Sequence, residues 1–333
     1  MKYQSPPYCI QIELTEGCNL ACSFCGIAGI RDNGAHGPND IRGKGSSPYK
    51  WLTLEKASVL ADKISFAKEN YKWNPRIEMA MHGEPTLNPD YKDIVGIFRK
   101  KLPTTHLQMT TNGGGLLKGD LVTNINHLMD AGLNVLLLDN YEGIKICDKV
   151  RDLYTGPHPM FEYPSEKNAN PHRRRKPTDH DIVVTQDIST ASKGNHSNVN
   201  NHAGSAFPKN DRAEGRRCAK VFREISVRWD GNVAICCNDW PGFYRCGNVF
   251  TEDLSLEELW QSAPFRAARK KLYHGERDFG PCDGCDALSY RPGLLPDSKG
   301  KEEYDKPNFT DLRDIEYALS RGPYTTAIPR PWE

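Results

Sequence analysis

The sequence predicts an α/β fold, namely a partial (β/α)6 barrel of the TIM type followed by a small C-terminal α+β module. Strand-like apolar segments alternate with amphipathic helical segments over the first two-thirds of the chain. The segments between successive strands are long enough for the crossovers that parallel strands need. After Cys218 this alternation stops, and the pattern of a β-hairpin replaces it.

Six segments have the composition of buried strands. The first of them runs directly into a loop with three cysteines, and residues 26–50 then form a long irregular segment rich in Gly, Asn, Pro and Ser. Six strands fit an open barrel, because a complete eight-stranded barrel usually takes about 250 residues. The predicted strands are Cys9–Leu14, Arg76–Met81, His106–Thr111, Asn134–Leu138, Pro159–Tyr163 and Asp181–Thr185.

Helices are predicted between these strands. One starts after Thr53, because apolar residues recur there at the spacing of a single helical face. Two more are expected around Tyr91–Leu102 and Asp120–Ala131. Residues 164–180 lack a helical pattern, so the last connection is predicted to be a loop. The apolar face of the first helix should consist of Leu54, Ala57, Leu60, Ala61, Ile64 and Ala67.

The C-terminal third is organised differently. The turn sequence Trp229-Asp230-Gly231 predicts a hairpin of Glu224–Arg228 and Asn232–Ile235. Short helices are expected near Leu256–Trp260 and Phe265–Tyr273. The polar, aperiodic stretch before this module is typical of a linker or an active-site loop. The predicted division is a barrel at 1–188, a polar loop at 189–217, the module at 218–290 and an extension at 291–333.

Charge and hydropathy bear on location and partners. The chain of 333 residues has a formal net charge of +1, which argues neither for nor against an acidic partner. It has no stretch of about 18 apolar residues, as a membrane-spanning helix would need. The N-terminus has neither the apolar run nor the cleavage site of a signal peptide. We therefore expect a cytoplasmic protein with no membrane partner.

Eleven cysteines require an explanation. In a reducing compartment, ligation of a metal or cluster explains them better than disulfides, and an odd count fits a disulfide framework badly. Cys9 and Cys147 are expected to be buried bystanders, since a free cysteine behaves as a small apolar residue.

Three cysteines follow the first strand with the spacing Cys18-x-x-x-Cys22-x-x-Cys25. A tight loop with this spacing can turn three thiolates toward one [4Fe–4S] cluster and leave one iron without a protein ligand. A free position of this kind is what a catalytic metal site needs. The alternative is a zinc loop or a set of buried cysteines. Zinc would require a fourth ligand nearby, and His36 in the irregular segment fits that role poorly.

With the motifs around it, the sequence resembles the radical S-adenosylmethionine (SAM) superfamily over most of its length. The loop matches the family pattern CxxxCxΦC, with Phe24 at the aromatic position. His82-Gly83-Glu84-Pro85 is similar to the family's GGEP turn, with histidine in place of the first glycine. Thr110-Thr111-Asn112-Gly113 resembles the TNG segment. Asp139 ends the fourth strand where the family often has Ser-x-Asp, although Leu137 replaces the serine.

The resemblance implies the cofactors and their ligands. Glu84 and nearby backbone would hydrogen-bond the amino group of SAM. Electron transfer from the reduced cluster would cleave SAM, and the 5′-deoxyadenosyl radical would abstract a substrate hydrogen. The electron would come from a donor such as flavodoxin or ferredoxin. The implied SAM-binding residues are Phe24, Gly83, Glu84, Pro85, Thr111, Asn112 and Asp139.

A second set of cysteines has the spacing Cys-x17-Cys-x45-Cys-x2-Cys, which can close a four-thiolate site. Either Cys237 or Cys246 could replace Cys236 in it. A zinc ribbon would use the same CxxC pair and hairpin, so the chemistry alone leaves both alternatives open. The set consists of Cys218, Cys236, Cys282 and Cys285.

Attached to such a barrel, this pattern resembles the twitch module, a shortened relative of the SPASM domain. Gly247-Asn248-Val249, Leu256-x-x-Leu259-Trp260 and Phe265-Arg266 extend the resemblance. A full SPASM domain would add cysteines downstream, and none follows Cys285. The resemblance implies one auxiliary [4Fe–4S] cluster. It would accept an electron during a net oxidation, or it would only stabilise the module.

The residues that bind the substrate are weakly indicated. Gln186 follows the sixth strand, Arg223 and Arg228 flank the hairpin, and His202 lies in the polar loop. The basic run 173–176 could hold phosphate or nucleic acid, but such runs are usually solvated loop surface. Further polar residues of the same loop are His196, Asn200 and Asn201.

The leading hypothesis is net oxidation of a small-molecule or nucleotide-like substrate, similar to the alcohol dehydrogenation known among short twitch members. One alternative is a radical isomerase or cyclase that acts on a nucleotide or nucleobase adduct. Another is a peptide-modifying maturase, although only 17 residues precede Cys18 and these are too few for a peptide-recognition domain. A zinc- or cluster-binding protein without catalysis is the alternative from a different class.

Overall fold

The computed structural model describes residues 6–20, 22, 24–27, 49–141, 144–162, 181–187, 200–206, 209, 211–240 and 242–287. Within these residues, nine strands form one sheet and two short strands form another. In chain order the strands are β1 (Cys9–Ile12), β2 (Thr15–Glu16), β3 (Lys50–Trp51), β4 (Arg76–Met79), β5 (Leu107–Thr111), β6 (Val135–Asn140), β7 (Met160–Glu162), β8 (Asp181–Asp187), β9 (Glu224–Val227), β10 (Asn232–Ala234) and β11 (Arg245–Asn248).

The six strands predicted for the barrel are all present and parallel, which confirms the α/β class. Their spatial order is β1, β4, β5, β6, β8 and β7. The seven-residue β8 pairs on both sides, whereas the three-residue β7 forms the edge. Because parallel strands all end on the same side, the turns after β1, β4, β5 and β6 meet at one end of the sheet.

The helices cover one face of the sheet. In the first helix the predicted apolar face is buried, except that Leu54 is 37% exposed because it is the first residue of the helix. One helix, Ile146–Leu153, was not predicted; its eight residues are too few for a long periodic pattern, although Ile146, Cys147 and Val150 form a buried face. In the described part of the chain, no helix has the length and apolarity that a membrane span requires. The helices are α1 (Leu54–Tyr71), α2 (Tyr91–Lys101), α3 (Leu121–Asp130), α4 (Ile146–Leu153), α5 (Leu256–Trp260) and α6 (Ala263–Tyr273).

The other face of the sheet is polar. Ile10 and Ile77 are fully buried in the apolar core that the helices complete, and strand residues next to them face the opposite side. On that side Gln11 and Gln108 donate through Nε2 to the Glu78 carboxylate at 3.0 and 3.3 Å. These three side chains are half-buried, so the concave side of the barrel is polar and partly accessible.

The C-terminal hairpin continues the barrel sheet. Strand β9 pairs in parallel with β1, and Ile225 lies opposite Ile10. Strands β10 and β11 follow in antiparallel pairing, which confirms the predicted hairpin. Its turn contains Gly231 with φ of 90°, a conformation that favours glycine. The hairpin turn therefore lies at the same end of the sheet as the cysteine loop that follows β1.

Candidate active site

The three predicted ligands of the first cluster lie on one turn. The N–H of Cys25 donates to the carbonyl oxygen of Cys22 at 3.1 Å. Burial, and then the Glu84 carboxylate and the thiols of Cys25 and Cys22, raise the pKa of Cys18 to about 12. Asn112 Nδ2 donates to Cys18 Sγ at 3.4 Å. Hydrogen bonds to sulfur are typical of iron–sulfur sites, so these residues fit the thiolate side of a [4Fe–4S] cluster.

The turn after β4 touches this cysteine loop directly. Gly83 forms a parallel bridge with Gly17, and Glu84 N donates to Gly17 O at 3.0 Å. A Cβ atom at position 83 would lie 2.1 Å from the carbonyl oxygen of Thr15 and 2.5 Å from that of Gly17. Since both obstacles are backbone atoms, only glycine permits this approach.

We therefore expect Gly83→Ala to separate the turn from the cysteine loop and to reduce SAM binding and cleavage strongly. Gly96→Ala is the matched control, because no atom lies within 4 Å of the added Cβ and alanine stabilises a helix by about 1 kcal/mol. Anaerobic SAM cleavage and the thermal midpoint should be measured for both. Normal cleavage by the Gly83→Ala variant would contradict the role assigned to this contact.

Glu84 joins the turn to the end of β5. Its Oε1 accepts hydrogen bonds from the backbone N–H of Thr86 at 3.0 Å and from its hydroxyl at 2.5 Å, and also from the Thr111 hydroxyl. Its Oε2 accepts from the N–H of Asn112 at 2.8 Å. Burial raises the pKa of this carboxyl although the hydrogen bonds oppose the shift. The carboxylate thus positions the two predicted SAM-binding segments, and its contact with SAM stays a prediction.

Asp139 and Phe24 lie on the same side of the site. The Tyr141 hydroxyl donates to Asp139 Oδ2 at 3.5 Å, and the ring of Phe24 stacks on that of Tyr141 with centroids 6.2 Å apart. Burial, and then Asp139, Glu84 and the thiols of Cys25 and Cys18, raise the pKa of Tyr141. The structure thus brings the predicted SAM-binding residues together at the carboxyl end of the sheet.

A buried charged network lies beside the cysteine loop. Arg228 Nη2 pairs with Glu16 Oε2 at 2.8 Å, and Arg228 Nε lies 3.8 Å from Glu13 Oε2. Glu13 Oε1 lies 2.9 Å from His82 Nδ1, and His82 Nε2 lies 3.0 Å from the carbonyl oxygen of Cys237. Burial raises the pKa of Glu13, but Arg228 and His82 outweigh it and the net shift is downward. Arg228, a predicted candidate for catalysis, therefore joins the hairpin to the barrel.

We expect Arg228→Met to destabilise the protein by about 3–5 kcal/mol, because it removes the buried cation that Glu13 and Glu16 share and leaves Glu16 only the partly exposed Lys50, 3.5 Å away. Arg269→Met is the control, since Arg269 is also buried but donates to the carbonyl oxygens of Val221 and Trp260. Denaturant unfolding under anaerobic conditions should show the larger loss for Arg228→Met. Equal losses of unfolding free energy in the two variants would mean that the ion pairs do not contribute to stability.

The second set of cysteines also converges. All four thiols are buried, with 7–8% exposure. Burial raises the pKa of Cys282 well above its usual range, and the thiols of Cys218 and Cys285 add to the shift. The pKa of Cys236 is raised by burial and then by Cys237, with Cys282 also contributing. Four buried thiols, three of which have a pKa raised by burial and by thiols of the same set, fit a fully ligated [4Fe–4S] cluster.

The two alternative ligands have other neighbours. Cys237 Sγ accepts a hydrogen bond from Lys220 Nζ at 3.2 Å and lies 3.5 Å from Glu224 Oε1. Cys246 is fully buried, and Arg269 is the group that lowers its otherwise raised pKa. These contacts favour Cys236 over both alternatives.

The spacing of these groups bears on the zinc alternative. Within the described residues, no three His, Cys, Asp or Glu side chains are grouped closely enough to hold one metal ion. Zinc requires its sulfur ligands at about 2.3 Å from a single centre. A four-iron cluster is wider and holds its thiolates farther apart.

The other predicted candidates are scattered. The carbonyl of Arg223 accepts from the N–H of Cys9, which places it at the amino end of β1, opposite the cysteine loop. Burial, with smaller effects from His82 and Lys220, lowers the pKa of His202 to about 4, so it is a neutral acceptor near neutral pH. Outside the described residues or side chains lie Gln186, His196, the basic run 173–176, residues 164–180 and the extension at 291–333.

Several residues of the site were not predicted. Glu13 and Glu16 precede Cys18 in an otherwise apolar segment, and this unusual placement of charge was the available signal. Trp240 forms an apolar cluster with Ile27 of the cysteine loop, although the two residues are more than 200 positions apart in sequence, and Cys18 and Cys25 pack against this cluster. No local pattern could have indicated that contact.

Two family comparisons agree with this geometry. The profile of the radical SAM superfamily matches residues 12–139. The profile of the SPASM iron–sulfur cluster-binding domain matches residues 218–286. The first range contains the cysteine loop and the strand ends around it, and the second contains all four buried cysteines.

The individual proteins that resemble this chain have low sequence identity to it. A crystal structure of BtrN in complex with AdoMet and 2-DOIA has a TM-score of 0.58 at 19% identity and covers 85% of this chain and 94% of that one. An open conformation of BtrN has a TM-score of 0.55 at 18% identity, with coverages of 90% and 98%. The GTP 3′,8-cyclase of Pectobacterium atrosepticum is 24% identical over 162 residues, which are 46% of this chain and 43% of that protein. Residues 12–139 therefore carry a radical SAM domain, which implies SAM and a [4Fe–4S] cluster as cofactors, and residues 218–286 carry a SPASM domain, which implies auxiliary iron–sulfur cluster binding.

Proposed function

We propose that this enzyme oxidises a small polar molecule after abstraction of one hydrogen atom. The observation that carries the proposal is the pairing of two unlike thiol sites in one continuous sheet. One site offers three cysteines on a turn, and the other offers four buried cysteines. A cluster held by three thiolates retains an open iron, whereas a cluster held by four is suited to electron transfer.

When bound, the clusters supply the electron that cleaves SAM to the 5′-deoxyadenosyl radical and an acceptor for the electron that a net oxidation removes. In this proposal Cys18, Cys22 and Cys25 hold the first cluster. A single auxiliary cluster is held by Cys218, Cys236, Cys282 and Cys285. The remaining tasks of the chain are to orient SAM and to exclude water from the radical.

SAM is oriented by the strand ends. In this proposal the backbone of Gly83 and Glu84 faces the amino group of SAM, and Asn112 and Asp139 flank it. The Glu84 carboxylate accepts hydrogen bonds from both Thr86 and Asn112, so it fixes the spacing of two segments that would contact the same ligand. Burial of Asn112 and Asp139, at 3% and 8% exposure, keeps bulk water away.

The polar concave face supports a small polar substrate. Gln11, Glu78 and Gln108 lie together on the face of the sheet opposite the helices. The amides and the carboxylate are half-buried, and such groups suit hydroxyl or amino groups of a ligand. BtrN shares the fold and has been crystallised with AdoMet and 2-DOIA, which adds support for a substrate of this size.

A second candidate is cyclisation or isomerisation of a nucleotide. The similarity to GTP 3′,8-cyclase favours it, although the match spans less than half of that relative's length. A nucleic-acid substrate and peptide modification have no comparable observation in their favour. We further propose an electron donor such as flavodoxin or ferredoxin. We also propose a reducing compartment such as the cytoplasm, since none of the eleven cysteines, all within the described residues, forms a disulfide.

The test is anaerobic 5′-deoxyadenosine release with reductant and SAM, against separate pools of amino sugars, nucleotides and peptides. Oxidation predicts stimulation by the amino-sugar pool and a product two hydrogens lighter than its substrate. Stimulation by nucleotides with a product of unchanged mass would support the cyclase instead. Recovery of SAM after turnover separates catalytic from consumptive use.

A further inference from the structure

Trp240 of the auxiliary segment lies against the first cysteine loop. It follows Cys236 closely in sequence and is 7% exposed. It forms a small apolar cluster with Ile27, and Cys18 and Cys25 pack against that cluster. A Cβ atom at Gly26 would lie 2.8 Å from Trp240 Cδ2 and 2.9 Å from Cγ, so the Gly26 backbone rests on the indole. The indole Nε1 has no hydrogen-bond partner among the described residues, and the contact is therefore one of packing.

Two histidines hold the indole in place. The ring centroid of His202 lies 4.8 Å from that of Trp240 at an interplanar angle of 25°. The ring of His82 lies 4.8 Å away from Trp240 at 51°. His82 is itself fixed between the Glu13 carboxylate and the carbonyl of Cys237. The histidine that replaces the first glycine of the GGEP turn thus supports a residue of the auxiliary domain.

His202 connects the cysteine loop to the other end of the auxiliary domain. Its Nδ1 accepts a hydrogen bond from the N–H of Gly26 at 2.9 Å. The preceding residue, Asn201, donates from its backbone to Asp286 Oδ1 and from Nδ2 to Gly284 O, both at 2.8 Å. Gly284 and Asp286 flank Cys285. Two segments that carry auxiliary ligands therefore hold the cysteine loop, one through Trp240 and the other through His202.

We propose that the auxiliary domain completes the site of the first cluster, and that Trp240 is the positioning residue that holds the cysteine turn in shape. Trp240 supports the turn by packing, and His202 supports it by a hydrogen bond. The inference rests on the proposed assignment of Cys18, Cys22 and Cys25 as ligands and is independent of the substrate. It predicts that the first cluster releases iron faster when this contact is removed, even though no ligand has changed.

The test compares Trp240→Ala with Trp73→Ala in the anaerobically purified holoenzyme. Trp73 is also buried and also joins the two domains, since its Nε1 donates to Glu257 Oε2 at 3.0 Å, but it lies at the amino end of the sheet. The readouts are the rate of iron release to a chelator and the electron paramagnetic resonance signal that responds to SAM. Truncation of a buried tryptophan removes more free energy than a tenfold change requires. We expect iron release from the first cluster about tenfold faster in Trp240→Ala only.

Two further variants separate the possible causes. Trp240→Phe keeps a ring against Gly26 and should behave as wild type; loss of the cluster there would mean that the N–H matters and would overturn the packing proposal. Gly26→Ala perturbs the same contact from the other side and provides the test if Trp240→Ala does not fold. We expect it to release iron faster in the wild-type background and to add little in Trp240→Ala.

Wild-type iron release and an unchanged SAM-responsive signal in both Trp240→Ala and Gly26→Ala would overturn the inference. The triple variant Cys18→Ala/Cys22→Ala/Cys25→Ala shows whether the ligand assignment itself holds. If the triple variant lacks the SAM-responsive signal and Trp240→Ala retains it, the assignment stands and the inference alone is wrong. If the triple variant retains the signal, the ligand assignment is wrong.

Discussion

Replacement of Cys18, Cys22 and Cys25 by alanine is expected to abolish the release of 5′-deoxyadenosine from SAM. The three thiols lie on one turn, next to the Asn112 amide and the Gly83 backbone. Without thiolates this turn loses its soft iron ligands, because the nearby Glu84 carboxylate already accepts hydrogen bonds from Thr86 and Asn112, and His202 Nδ1 accepts from the N–H of Gly26. Cleavage should fall to the rate of a protein-free control.

Cys147→Ala is the matched control for the triple variant. Its thiol is buried and donates to the carbonyl oxygen of Leu138, which fits the predicted bystander role. We expect normal SAM cleavage and a small loss of stability. Cleavage by the triple variant at an appreciable fraction of the wild-type rate would show that the ligands lie elsewhere.

The double variant Cys282→Ala/Cys285→Ala is expected to separate SAM cleavage from product formation. Both thiols lie near Cys218 in the auxiliary site, and Cys282 also lies near Cys236. Asn201 is held through Gly284 O and Asp286 Oδ1 and not through the thiols, so the contact of His202 with the first loop should survive. We expect 5′-deoxyadenosine release to continue and the oxidised product to be absent.

Cys237→Ala/Cys246→Ala serves as the control for that variant, because these two thiols have other neighbours. It should retain both iron content and product formation. Full product formation by the Cys282→Ala/Cys285→Ala variant would reduce the auxiliary cluster to a structural role. Loss of product in the Cys237→Ala/Cys246→Ala variant would reopen the choice among the three neighbouring cysteines.

Much of the fold follows from local pattern. Strands β1, β4 and β5 contain apolar residues at alternate positions, which face the helices, and β6 begins with a continuous apolar run. The turn sequence at Gly231 indicates the hairpin. The pairing of β9 with β1 was beyond such reasoning. This pairing places Cys9 opposite Glu224, which is far away in sequence. No sequence pattern indicates which free edge of the sheet a later strand will join.

The site was predictable to the extent that its motifs are contiguous. The cysteine loop, the turn at Gly83 and the segment at Asn112 are short runs, and the structure brings them together. The roles of Arg228 and His202 were not predictable, because an arginine or histidine in sequence carries no sign of its partner. Arg228 is buried against two carboxylates, and His202 accepts from a backbone N–H beside Cys25.

The central claim is that the chain holds two unlike clusters, of which only the first has an iron open to SAM. Electron paramagnetic resonance of the reduced wild type and of the Cys18→Ala/Cys22→Ala/Cys25→Ala variant, each with and without SAM, tests it most directly. We expect one wild-type signal to change when SAM is added, and the variant to keep a single signal that SAM leaves unchanged. A wild-type spectrum indifferent to SAM, or a variant signal that shifts with it, would contradict the claim.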